Sequence, residues 1–145
     1  MAIDTSETAN AVHRLTFEKM FPKCVVVNHT ITSEPDKTLE CVEKYFPRDI
    51  WRNSWWHASP SCKKGSTANF NRQEIDLCCK GTMDAYRVLK AADPAQFTIE
   101  QISRVMKYIE LPNAVRTQLE DHCQLRQNRS RMIALKVSKI RGTAR

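Results

Sequence analysis

NRQEIDLCCKGTMDAYRVLKAA, residues Asn71 to Ala92, reads as the central helix of the chain. Ile75, Cys78 or Cys79, Thr82, Tyr86 and Leu89 recur at steps of three and four, which stacks them on one helical face, and Met83 widens the stripe. Asn71 suits an N-cap, and Glu74 stands at the capping-box spacing. Asp93-Pro94 ends the pattern, because the residue before a proline avoids the α region. Gly81 is the weak point, at a cost of about 1 kcal/mol relative to alanine in a helix interior.

Outward from this helix, most of the chain also reads as helical. Thr5 or Ser6 caps a first helix that runs to about Met20 and closes at Pro22. Ser33 to Phe46 is a second, with Pro35 in the first turn and Leu39, Val42 and Phe46 facing inward. Pro47 and Asp49 open a short helix through Trp56. Thr98 caps another, with Gln101 at the capping-box position and Ile99, Ile102, Val105 or Met106, and Ile109 as its stripe. Val115, Leu119 and Cys123 mark a further helix after Pro112, and Ile133, Val137 and Ile140 resume helical spacing near the end. Only Cys24 to Thr32, with its run of three valines, has strand character. The expected fold class is mainly α: a small irregular bundle of about five helices, with one short strand near residues 24–32. The expected organisation is a helical domain over 1–125 and a basic helical extension over 126–145.

Charge supports that division. The net charge of +7 arises wholly in the last 24 residues, which carry Arg126, Arg129, Arg131, Lys136, Lys139, Arg141 and Arg145 and no acid. A one-sided cationic stretch points to an anionic partner. An RNA, an anionic membrane surface and an acidic protein groove each suit basic residues that flank an apolar stripe. All three tryptophans fall within six residues, Trp51, Trp55 and Trp56, beside Arg48 and Arg52. Such a cluster serves as a mini-core, a protein interface or a platform for stacked bases.

The six cysteines are Cys24, Cys41, Cys62, Cys78, Cys79 and Cys123. The start of the chain holds acids where a secretory leader needs a basic and then an apolar region. No apolar run is long enough for a membrane span. Reduced thiols in the cytoplasm or mitochondrion are therefore the default expectation. Where oxidation is permitted, Cys78 and Cys79 are placed to tie Cys41 and Cys62 to the central helix. Cys62 lies in the one clear loop, SPSCKKGSTANFN, directly before Lys63 and Lys64. Neighbouring ammonium groups favour a thiolate, and His57 is the nearest base. No close ligand pair of the zinc type is present, so neither metal nor cofactor is expected.

With three glycines, no phosphate-cradling motif and no evident carboxylate pair, the sequence reads as a non-enzyme. The leading expectation is a non-catalytic helical subunit of a larger assembly, with a respiratory or ribosomal complex of the mitochondrion as the analogy. It docks on other protein subunits through the basic tail and the tryptophan cluster. Two alternatives stand beside it: a small basic RNA- or DNA-binding protein, as in a virus, and a thiol- or metal-dependent protein.

Overall fold

A computed structural model of the chain describes residues 1–21, 25–60, 72–102, 105, 107–118 and 130–137. Four helices and six strands are present among them, so the architecture is an α/β mix and not the expected helical bundle. A two-stranded sheet pairs β1 (Ala2–Asp4) with β2 (Val26–Asn28) in parallel, with α1 (Glu7–Met20) as the crossover between them. A four-stranded sheet has the order β3-β4-β6-β5. Its β3 (Trp55–Ala58) and β4 (Gln96–Ile102) are also parallel, joined across α4 (Arg72–Ala92). Strand β6 (Ser130–Val137) runs antiparallel between β4 and β5 (Ala114–Gln118). Two shorter helices, α2 (Pro35–Glu43) and α3 (Arg48–Arg52), link β2 to β3. No helix among the described residues is long and apolar enough to cross a membrane.

Several elements follow from local chemistry. Ser6 has extended backbone angles and its side chain accepts from the Ala9 amide at 3.3 Å, which caps α1. The Asp4 carboxylate accepts from the Ser6 amide at 2.7 Å and fixes the turn from β1 into that helix. Pro35 begins α2. Helix α4 covers the predicted central segment and ends where Asp93 enters the left-handed region, φ 48°, with its amide on the Leu89 carbonyl at 3.0 Å.

The helices expected after Pro94 are strands. In β4 the exposure alternates: Phe97, Ile99 and Gln101 are buried, and Gln96, Thr98, Glu100 and Ile102 turn the other way. The three-residue step from Ile99 to Ile102 suits a helix as well, but the β-branched content and two flanking strands decide for the sheet. Residues 114–118, expected as helix, are β5, and residues 130–137 of the expected helical extension are β6, an interior strand. The short helix expected to reach Trp56 stops at Arg52, and the chain turns at Asn53 and Ser54 into β3. Trp51 and Trp55 therefore do not share a helical face.

Two clusters form the core. Leu89, Phe97, Ile99 and Leu111 pack between α4 and the four-stranded sheet. Leu39, Val42, Trp51, Val88 and Ala92 pack where α2, α3 and α4 meet, and Ile3 of β1 closes on them. Trp56 touches both clusters. Its indole N–H donates to the Trp51 carbonyl and to Ser54 Oγ, each at 2.9 Å, which satisfies the polar edge of a half-buried ring.

Candidate active site at the carboxyl ends of two parallel strands

Strands β3 and β4 are in register from Trp55 opposite Gln96 to Ala58 opposite Ile99. They point the same way, so the chain leaves β3 beside the last three residues of β4. Open α/β sheets bind their ligands at this end of parallel strands, because the connecting loops there are free to carry functional groups. The segment that leaves β3 is Ser59-Pro60, followed in sequence by Ser61, Cys62, Lys63 and Lys64. Cys62 itself lies outside the described residues.

A buried polar bridge holds the start of this loop. Gln101 is 2 % exposed, a costly position for a side-chain amide unless its hydrogen bonds are met. Its Nε2 donates to Thr82 Oγ1 at 2.9 Å and to the Pro60 carbonyl at 3.3 Å, and its Oε1 accepts from the Ile102 amide at 2.9 Å. Thr82 in turn donates to the Cys78 carbonyl at 2.7 Å. One side chain thus ties α4, the end of β4 and the exit of β3 together. The sequence suggested a capping-box role for Gln101; its position in a strand gives it this one instead.

On the opposite face of the strand pair lie Trp55, His57, Thr98 and Glu100. Trp55 is 62 % exposed and its ring stands 5.9 Å from that of His57. His57 Nδ1 is 2.8 Å from Thr98 Oγ1, so the hydroxyl orients the imidazole. Glu100 is half-buried and lies one turn of the pleat beyond Thr98, with Ile133 opposite it on β6. An imidazole, a hydroxyl and a carboxylate accordingly share a surface at the end of the sheet where the chain leaves β3 through Ser59 and Pro60. The sequence named His57 as the nearest base to Cys62. It gives Thr98 and Gln101 helix-capping roles only and does not single out Glu100; the alternation of Phe97 and Ile99 is a partial strand signal, which the polar Gln101 interrupts.

The other sequence-derived candidates are placed as follows. Trp51 is buried in the core, with the Arg48 guanidinium 5.8 Å from its ring centroid. Arg52 is exposed at the end of α3, and its carbonyl accepts from the Ala95 amide at 2.7 Å. Arg131 stands on β6 opposite Ile102 and Thr117, and Lys136 opposite Phe97. Arg126, Arg129, Lys139, Arg141 and Arg145 lie outside the described residues. Cys41 and Cys79 are free, half-buried thiols, and Cys78 is buried on the core side of α4.

Burial, then the charge of Asp76 and the neighbouring Cys78, pushes the Cys79 thiol above its ordinary range. The protonated form is the one the fold favours. That contribution is complete below the ordinary thiol pKa and is lost as pH rises through the raised one. Iodoacetamide is therefore expected to alkylate Cys79 more slowly than a free cysteine at pH 8, with the rate climbing only in more alkaline buffer. Peptide mapping by mass spectrometry across a pH series checks this.

A solved structure shares the fold. It is a prophage-encoded E. coli protein whose name assigns it to the DNA modification methyltransferases. The match has a TM-score of 0.60 with 16 % identity and covers 95 % of this chain and 39 % of that one. This chain thus spans well under half of that protein's length. No family model and no curated protein matches the sequence. The expectation of a non-catalytic helical accessory subunit is corrected on two grounds: the bundle it rested on is not there, and the fold that is there is shared with a protein named as an enzyme.

Proposed function

We propose that the chain belongs to a nucleic-acid-modifying enzyme and supplies its nucleophile, Cys62, from the loop that follows β3. The observation that carries this reading is the bridge from Gln101 to the Pro60 carbonyl, which fixes the root of that loop at the carboxyl ends of two parallel strands. In the sequence Cys62 follows Pro60 by two residues and directly precedes Lys63 and Lys64, and neighbouring ammonium groups favour a thiolate. His57, held by Thr98, and Glu100 on the adjoining face are the groups able to take up and return protons there. The neighbour's name supports nucleic acid as the substrate class. So does the excess of cations in the last 24 residues, which suits a phosphate backbone.

A methyltransferase also needs a methyl donor, and the residues present do not fit one by themselves. The three glycines are Gly65, Gly81 and Gly142, widely separated, and Gly81 lies inside α4 with nothing within 4 Å of an added Cβ. No glycine-rich turn follows any described strand, so no cradle for a nucleoside is formed by them.

The test is alkylation of the full chain by iodoacetamide at pH 7.5, with and without a duplex DNA of about three helical turns. Cys62 is expected to react faster than Cys79, whose thiol burial holds in the protonated form. DNA is expected to slow Cys62 several-fold while leaving Cys79 unchanged. A Cys62 that reacts no faster than Cys79, or is indifferent to DNA that binds, contradicts the reading.

A further inference from the structure

The carboxyl end of α4, the start of β4 and the turn before β5 enclose a cavity of about 210 Å³. Its lining runs from the buried side chains of Leu89 and Phe97 to the exposed residues Lys90, Asp93 and Asn113. Tyr86 stands beside Phe97 in an edge-on pair, with ring centroids 6.3 Å apart. The cavity lies at the amino end of β4, whereas Gln101 and the root of the loop after β3 lie at its other end. The step from Phe97 to Gln101 is about 13 Å along a strand. The two places are therefore separate.

Two residues of the cavity lie in the left-handed region, Asp93 with φ 48° and Asn113 with φ 57°, and among the described non-glycine residues no others do. Local hydrogen bonds hold both there. The Asp93 amide donates to the Leu89 carbonyl at 3.0 Å, which ends α4. The Ala114 amide donates to the Leu111 carbonyl at 3.2 Å, across a turn with Pro112 second and Asn113 third. Glycine is the usual residue at both kinds of position, because it takes this backbone without steric cost. Here the chain keeps a polar side chain at each, and both residues form part of the cavity wall. Backbone held in this way gathers at ligand clamps.

The chemistry of the lining specifies an occupant. An apolar cavity of roughly 150 Å³ holds a benzene ring, and pockets for drug-sized molecules begin near ~300 Å³. The volume here suits one planar ring system whose substituents reach outside. Tyr86, Leu89 and Phe97 offer such a ring aromatic and aliphatic contact. The Asn113 amide pairs with an adjacent donor and acceptor, as on the edge of adenine. The Asp93 carboxylate accepts from an exocyclic amino group and repels the carbonyl oxygen that uracil carries in its place. The Lys90 ammonium is a partner for a phosphate. We infer that this cavity is a second binding site, for a free nucleoside monophosphate whose base carries an amino group. The inference goes beyond the role given to Cys62 and does not depend on it.

The test is saturation-transfer NMR on the full chain with cytidine, adenosine and uridine monophosphates and with inorganic phosphate, each up to millimolar concentration. At least one of the amino-bearing nucleotides is expected to bind, with its base protons receiving the strongest transfer. Uridine monophosphate is expected to bind about fivefold more weakly or worse, the effect of one lost hydrogen bond, and phosphate alone not to compete. Asp93→Gly and Asn113→Gly suit the backbone at their positions, so each is expected to fold and to weaken binding by about the same factor. Duplex DNA, whose bases are paired on that edge, is expected not to displace the nucleotide. No binding at millimolar concentration, uridine monophosphate bound as well as the others, glycine variants that bind as the parent does, or displacement by duplex would overturn the inference. So would a nucleotide that slows alkylation of Cys62. The response of Cys62 to DNA is read without any nucleotide, so failure of one proposal is distinguishable from failure of the other.

Discussion

Replacing Ile99 with alanine is expected to destabilise the protein by about 3–5 kcal/mol, close to the upper range for removing a buried aliphatic side chain. Ile99 is 0 % exposed and lies in the cluster with Leu89, Phe97 and Leu111. Strand β4 is held on both sides, by β3 and β6, so the backbone has little freedom to collapse into the cavity. For a chain of this size the loss corresponds to a fall in melting temperature of roughly 10 °C. Urea unfolding, with an unchanged m-value, gives the free energy. A loss below about 1 kcal/mol would mean that the site is not packed as described.

The second large effect is expected at Gln101. Gln101→Leu keeps the volume and removes three hydrogen bonds, which leaves the Ile102 amide and the Pro60 carbonyl without their protein partner. Stranding such groups costs about 2–4 kcal/mol in sum. The stability effect is the smaller part of the expectation. Because the amide holds the root of the loop after β3, DNA is expected to lose its influence on Cys62 alkylation in this variant, at temperatures well below its melting point. Gln101→Glu separates the two roles: it retains the acceptor for the Ile102 amide and surrenders the donor to Pro60. Its loop phenotype should match that of the leucine variant. A Gln101→Leu protein with lowered stability and undiminished DNA protection of Cys62 would reduce the bridge to a packing role.

How far the fold can be read from the residues depends on the range of the contacts that form each element. Helices α1, α2 and α4 are set by local chemistry: the Ser6 cap, the Pro35 start, and the stripe from Ile75 to Leu89. Strand β2 announces itself by its valines, but its partner β1 is three residues at the very start of the chain, too short for any periodicity. The second half fails differently. In β4 the third inward position is Gln101, a polar residue that breaks the apolar alternation and leaves Ile99 and Ile102 to mimic a helical step. Strand β6 is interior, paired on both sides, and such strands carry apolar residues on either face, so SRMIALKV fits both periods. Partners distant in sequence decide these cases. The site shares the same fate: Cys62 and His57 were visible as chemistry, whereas Gln101, Thr98 and Glu100 acquire meaning only once β4 lies beside β3.

The basic residues are also recast. Arg131 and Lys136 belong to a strand inside the sheet, next to β4, and not to a free helical handle. The proposed contact of these two residues with a phosphate backbone would be made from β6, the strand next to β4.

Hydrogen exchange of the full chain with and without duplex DNA tests the location of that site most directly. Slowed exchange is expected at residues 55–60 and 98–102, the carboxyl ends of β3 and β4 with the root of the loop, and the effect should fade steeply as salt is raised. DNA that binds and leaves both segments unchanged, or protects only β5 and the amino end of β4, would contradict the placement of the reaction centre.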